Sequence, residues 1–86
     1  MTVSPSPFSH LILRTAGPDD QAALRRLAAL DARRPPQGHV LVAEADGEIH
    51  AAIAAEDGHT VADPFRPTAD MVLLLRGRAR ALGWMG

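Results

Sequence analysis

The chain has 86 residues, no cysteine and a formal net charge of −1. That length allows one domain, the absence of cysteine excludes disulfides and thiol chemistry, and the near-neutral balance offers no field to gather nucleic acid or acidic lipid. Apolar residues make up 47% of the chain but aromatics only 3%, so the predicted core is built from Ala, Leu, Val and Ile, which bury little area each.

Residues 1–9 carry Ser4-Pro5-Ser6-Pro7 with no apolar period and are predicted to form a flexible tail. They hold no basic stretch followed by an apolar one, so they do not read as a secretory leader. The chain also lacks an apolar run of about 18 residues, so no membrane span is predicted. A cytoplasmic location is the expectation. Residues 10–83 read as one domain and 84–86 as a short C-terminal tail.

His10 to Thr15 reads as a short strand. Pro18-Asp19-Asp20 then opens a helix: proline suits a first turn whose N–H groups lack partners, and the carboxylates suit the positive end of the helix dipole. Leu24, Leu27, Ala28 and Leu30 follow a helical stripe, with Arg25, Arg26 and Arg33 facing outward. Pro35-Pro36 is expected to end this helix, because a residue before proline resists the α region.

Three strands are predicted next: His39–Ala45, Glu48–Glu56 and His59–Asp63. Asp46-Gly47 and Asp57-Gly58 separate them, and both read as two-residue hairpin turns. That register sets Ala45 opposite Glu48 and Glu56 opposite His59. It places Val40, Val42, Ile49, Ala51, Ile53 and Ala55 on one face. The other face receives His39, Leu41, Ala43, His50, Ala52, Ala54, His59 and Val61. Both faces are partly apolar and call for cover, from helices or from another subunit.

After the loop Pro64-Phe65-Arg66-Pro67, Thr68 reads as the N-cap of a closing helix from about Ala69 to Leu82. Met71, Val72, Leu75, Ala79 and Leu82 form its predicted core stripe, while Leu73 and Leu74 carry apolar surface beyond that face. Gly77 costs about 1 kcal/mol inside a helix relative to alanine. Gly83 reads as the residue that ends the helix. The fold class is therefore α+β: a short first strand, a helix, a three-stranded antiparallel meander and a closing helix.

This order resembles the N-terminal half of the GNAT family of N-acetyltransferases. Leu13-Arg14-Thr15-Ala16 with Pro18-Asp19-Asp20 resembles the family's opening strand and helix. Val40–Glu44 with Asp46-Gly47-Glu48-Ile49 resembles its second and third strands. Val61–Arg66 resembles its fourth strand and the start of its acetyl-CoA loop. The resemblance covers about Leu11 to Leu82. It implies an acetyl-CoA pyrophosphate held by backbone N–H groups at the N-terminus of the closing helix, with Arg66, Thr68 and Ala69 as the cofactor-binding positions. The family's glycine-rich loop reads Arg66-Pro67-Thr68-Ala69-Asp70-Met71 here. Alanine and methionine stand at the small positions, Pro67 removes a donor, and Asp70 brings negative charge to the phosphate position. The family's fifth strand and fourth helix have no counterpart, and the chain has no tyrosine. A truncated domain that has lost acetyl transfer is the expectation.

The remaining chemistry is sparse. The four histidines share no metal-binding spacing; His59 is expected to sit beside Glu56 as a pH-sensitive pair. Asp63 is the best candidate for a general base on the fourth strand, and it is equally turn chemistry before Pro64. All nine basic residues are arginine, a composition typical of GC-rich bacterial genomes, so lysine Schiff-base and P-loop chemistry are excluded. Arg76, Arg78 and Arg80 suit the helix C-terminus. The leading expectation is a non-catalytic, self-associating interaction module without a cofactor. Its partner is a second copy or another protein, met through Thr60, Val61 and Ala62 on an exposed edge and through Leu73, Leu74 and Trp84. The alternative is a residual acyl-CoA-binding protein or weak N-acetyltransferase whose groove is completed across a dimer.

Overall fold

The computed structural model describes residues 11–83. Four strands, β1 (Leu11–Thr15), β2 (Val40–Ala45), β3 (Glu48–Ala54) and β4 (Thr60–Ala62), form one sheet in that order. Every neighbouring pair is antiparallel, which settles the direction of β1. Helix α1 (Gln21–Leu30) follows a single 3₁₀ turn at Pro18–Asp20, and helix α2 (Ala69–Ala81) closes the chain. The α+β class and the element order read from the sequence hold.

The helices cover opposite faces of the sheet. Leu24, Leu27 and Ala28 of α1 pack on Val40, Val42, Ala52 and Val61. Met71 and Leu75 of α2 pack on Leu41, Ala43, Ala45, Ala51 and Ile53. Both covers come from within the chain.

The sorting of the faces differs from the sequence reading, and the cause is a β-bulge. Asp46 and Gly47 form the expected tight turn with φ of 53° and 82°, and Ala45 lies opposite Glu48. Glu44 then pairs with Ile49, but Ala43 pairs with Ala51, so His50 is an extra residue in β3. A bulge breaks strict alternation. Ile49 packs against the α1 core, whereas Ala51 and Ile53 join Leu41 and Ala43 under α2. Ala52 and Val61 accordingly move to the face of Val40 and Val42.

The second hairpin also departs from expectation. β3 ends at Ala54, whose N–H donates to His59 O at 2.8 Å. Four residues therefore lie between the bonded Ala54 and His59, with Gly58 at φ 71° and its N–H on Ala54 O. Asp57 Oδ1 accepts the His59 N–H at 2.9 Å and stabilises this wider turn. Glu56 does not face His59, whose Nε2 lies 2.8 Å from Arg34 O.

Helix α1 stops at Leu30, before the prolines expected to end it. Arg33 N–H donates to Ala28 O and Ala32 N–H to Ala29 O, the paired bonds of a Schellman ending. Ala32 holds the left-handed position at φ 54°, where glycine is the usual occupant. Leu30, expected in the core stripe, is 44% exposed because it lies at this last turn. At the other end of α1, Arg14 Nη1 and Nη2 reach Asp20 at 2.8 and 3.0 Å. The same guanidinium meets Glu44 Oε1 at 2.8 Å, tying the start of α1 to β1 and β2.

Ala32→Gly relieves the strained conformation and is expected to raise stability by about 0.5–1 kcal/mol in urea unfolding; a loss would show that the Schellman ending is not formed. The Arg14 guanidinium, then the Gly17 N–H, holds the Asp20 carboxyl at about 2, below its ordinary 3.8. A lowered folded-state value means the contribution is present above pH about 4 and is lost as pH falls through about 2. The stability gap between the native protein and Asp20→Asn should be constant from pH 7 to 5 and close below pH 4; a gap unchanged at pH 2 would contradict the pairing.

Candidate functional site

Helix α2 has two unlike faces. Met71 and Leu75 are buried against the sheet, Ala79 is buried on the same side of the helix, and Val72 is half-buried. At roughly 100° per residue, Asp70, Leu73, Gly77 and Arg80 fall on the opposite side, and all are exposed. Leu73 is 67% and Leu74 44% exposed, too much apolar surface for an ordinary solvent-facing helix side. A Cβ added at Gly77 would meet no atom within 4 Å, so packing inside the chain does not call for glycine there. Leu82, expected in the core stripe, falls just beyond the end of α2 and is 48% exposed. Gly83 ends the helix as expected, with φ 77°. Trp84 lies outside the described residues.

The edge expected to pair with another chain is short. β4 spans three residues, and Val61 is fully buried under α1. Asp31 Oδ2 accepts the Ala62 N–H at 3.1 Å. An acidic side chain on the outer backbone of an edge strand is a recognised guard against strand addition. Thr60 Oγ1 donates to Gly58 O within its own turn. The expected interface residues thus separate: Leu73 and Leu74 face outward, while Thr60, Val61 and Ala62 are engaged in the chain's own structure.

Arg66 is flanked by carboxylates, with Nη2 at 3.3 Å from Glu48 Oε2 and Nε at 3.5 Å from Asp63 Oδ2. Thr68 stands at the N-cap of α2, but it is buried and its hydroxyl makes no cap bond. Ala69 and Asp70 are exposed on the first turn. Two acids beside the arginine and a third at the helix start oppose a diphosphate, so these residues do not fit the cofactor. Asp63, the candidate base, is committed to its turn: Oδ1 accepts the Phe65 N–H at 2.8 Å.

Sequence reading set His50 on the second sheet face as a regular strand residue, not at a bulge. Its bulge position turns the ring toward α1, where it is 7% exposed and neither ring nitrogen has a hydrogen-bond partner. Glu48 Oε2 is 3.7 Å from Nε2. A cavity of about 230 Å³ lies alongside, lined by Ala23, Arg26, Leu27, Leu30, Ile49 and Asp63 among others. No group of three or more His, Asp and Glu side chains among the described residues is arranged to hold a metal ion. None of the described helices is long and apolar enough to cross a membrane.

No protein-family model matches this chain, and no curated protein or solved structure matches it either.

A buried polar group without a partner costs about 1–3 kcal/mol. His50→Leu, of similar volume, is expected to raise the urea midpoint, by an amount equivalent to about 1 kcal/mol. A loss of stability would show that the imidazole makes a polar contact in solution.

Proposed function

We propose that this chain is a non-catalytic protein-interaction module, built like the N-terminal half of a GNAT acetyltransferase and acting in the cytoplasm, whose contact surface is the outer face of α2. The observation that carries this reading is the exposure of Leu73 and Leu74 beside an unexplained Gly77, on a helix whose inner face already completes the core. Removing such a patch from water contributes about 25 cal/mol per Å² of apolar area, set against the freedom lost on association. Exposed apolar surface of this kind marks contact sites. The acetyltransferase part of the reading rests on the residues and the element order, with β4 leading into α2. The acids around Arg66 and at Asp70 favour an interaction role over acyl-CoA binding.

Sedimentation velocity from micromolar to high micromolar concentration tests the reading. The native chain is expected to self-associate reversibly. Leu73→Glu should stay monomeric and keep its circular dichroism, because residue 73 contributes little to the core. A native chain that is monomeric throughout and binds acetyl-CoA in calorimetric titration would overturn the proposal in favour of the acyl-CoA alternative.

A further inference from the structure

The outer face of α2 has an internal symmetry. Asp70, Leu73, Gly77 and Arg80 are spaced 3-4-3, the spacing of a coiled-coil seam. They fall within roughly 80° of one another around the helix, directly opposite the buried Met71, Leu75 and Ala79. The spacing reads the same in both directions about residue 75. Under that reversal an acid exchanges with a base, and a large side chain with the smallest.

A twofold interface requires such self-complementarity, since each residue must suit the partner it meets on an identical copy. We infer that the occupant of this surface is a second copy of the chain, with the two α2 helices packed antiparallel about residue 75. Resting on the interaction-module reading above, the inference adds its partner and register. Asp70 of each copy meets Arg80 of the other, and Leu73 of each lies over Gly77 of the other. Gly77 acquires a purpose there. A residue without a side chain lets the helices approach closely and receives the leucine, which explains a glycine that the isolated chain does not need.

The acid lies in the first turn of α2 and the base in the last, so each also suits its own helix dipole. A parallel pairing would bring Asp70 to Asp70 and Arg80 to Arg80, and repulsion disfavours it. The seam is one helix long, so the dimer is expected to be weak, in the micromolar range. Its end pairs are exposed, so added salt should weaken it further.

Charge exchange tests the register, by sedimentation equilibrium at low ionic strength. Asp70→Arg alone and Arg80→Asp alone each create two like-charge contacts and should weaken the dimer by about tenfold. The double variant should restore it. An equimolar mixture of the two single variants should form a heterodimer more tightly than either self-associates. Gly77→Leu supplies an opposite-signed check: it should raise the melting temperature of the chain, because the site is open and leucine is the better helix former, yet abolish the dimer. A dimer that withstands both single reversals, or that the double variant does not recover, overturns the register and leaves the interaction-module reading intact. A native chain that stays monomeric at all concentrations overturns this inference and the self-association it rests on.

Discussion

One extra residue in β3 governs the layout of this molecule. With His50 outside the ladder, Ala43 meets Ala51 and Val42 meets Ala52. The half of β3 beyond the bulge is thereby shifted by one residue, and a shift of one exchanges the two faces of a strand. Ile53, among the largest fully buried side chains, joins Leu41 and Leu75 beneath α2. Val42 and Val61, buried to the same degree, join Leu24 and Leu27 beneath α1. Without the bulge, Ile53 would crowd the α1 side and leave α2 facing mostly alanine. The cost falls on the bulged residue itself, an imidazole enclosed without a hydrogen-bond partner.

Small side chains determine what the second layer can do. Ala43, Ala45 and Ala51 form the floor under α2, so the helix sits close and fills its contact with Met71 and Leu75. That inner stripe occupies only one side of the helix. Leu73 and Leu74 remain in water, and no described element lies over Gly77. The surface proposed for self-association is this helix, where the sequence reading also named the sheet edge. β4 is short, and Asp31 occupies the Ala62 N–H on its outer side. Arg66 becomes a structural tie between the start of β3 and the end of β4, through Glu48 and Asp63.

Much of the fold was legible in the sequence because local signals and burial agreed. Asp46-Gly47 marked a tight turn by its tolerance of positive φ, and both residues adopt it. Met71, Leu75 and Ala79 marked the inner face of α2 by their period, and the excess at Leu73 and Leu74 was visible against it. The bulge was not legible. From Ile49 to Ala55 only His50 is polar, and it is the bulged residue itself, so nothing beyond it betrays which face is which, and both registers satisfy the pattern. The end of α1 was hidden for a related reason: the left-handed position carries Ala32 instead of the glycine that usually announces it. Asp57-Gly58 signalled a turn correctly but not its length, which depends on Asp57 binding the His59 N–H. Arg66 with Glu48, and His50 beneath α1, join residues distant in sequence. No local pattern encodes such meetings.

The register of β2 against β3 is the claim on which the two cores, and hence the free face of α2, depend. Nuclear Overhauser contacts between α-protons across these strands measure it directly. Ala55 N–H donates to His39 O at 2.7 Å, so the pairs Val40 with Ala54 and Val42 with Ala52 are the closely spaced, non-hydrogen-bonded ones. Strong α-proton contacts within those two pairs are the expected result. Contacts joining Val42 to Ala51 and Val40 to Ile53 would mean a regular ladder without the bulge, and would contradict the account.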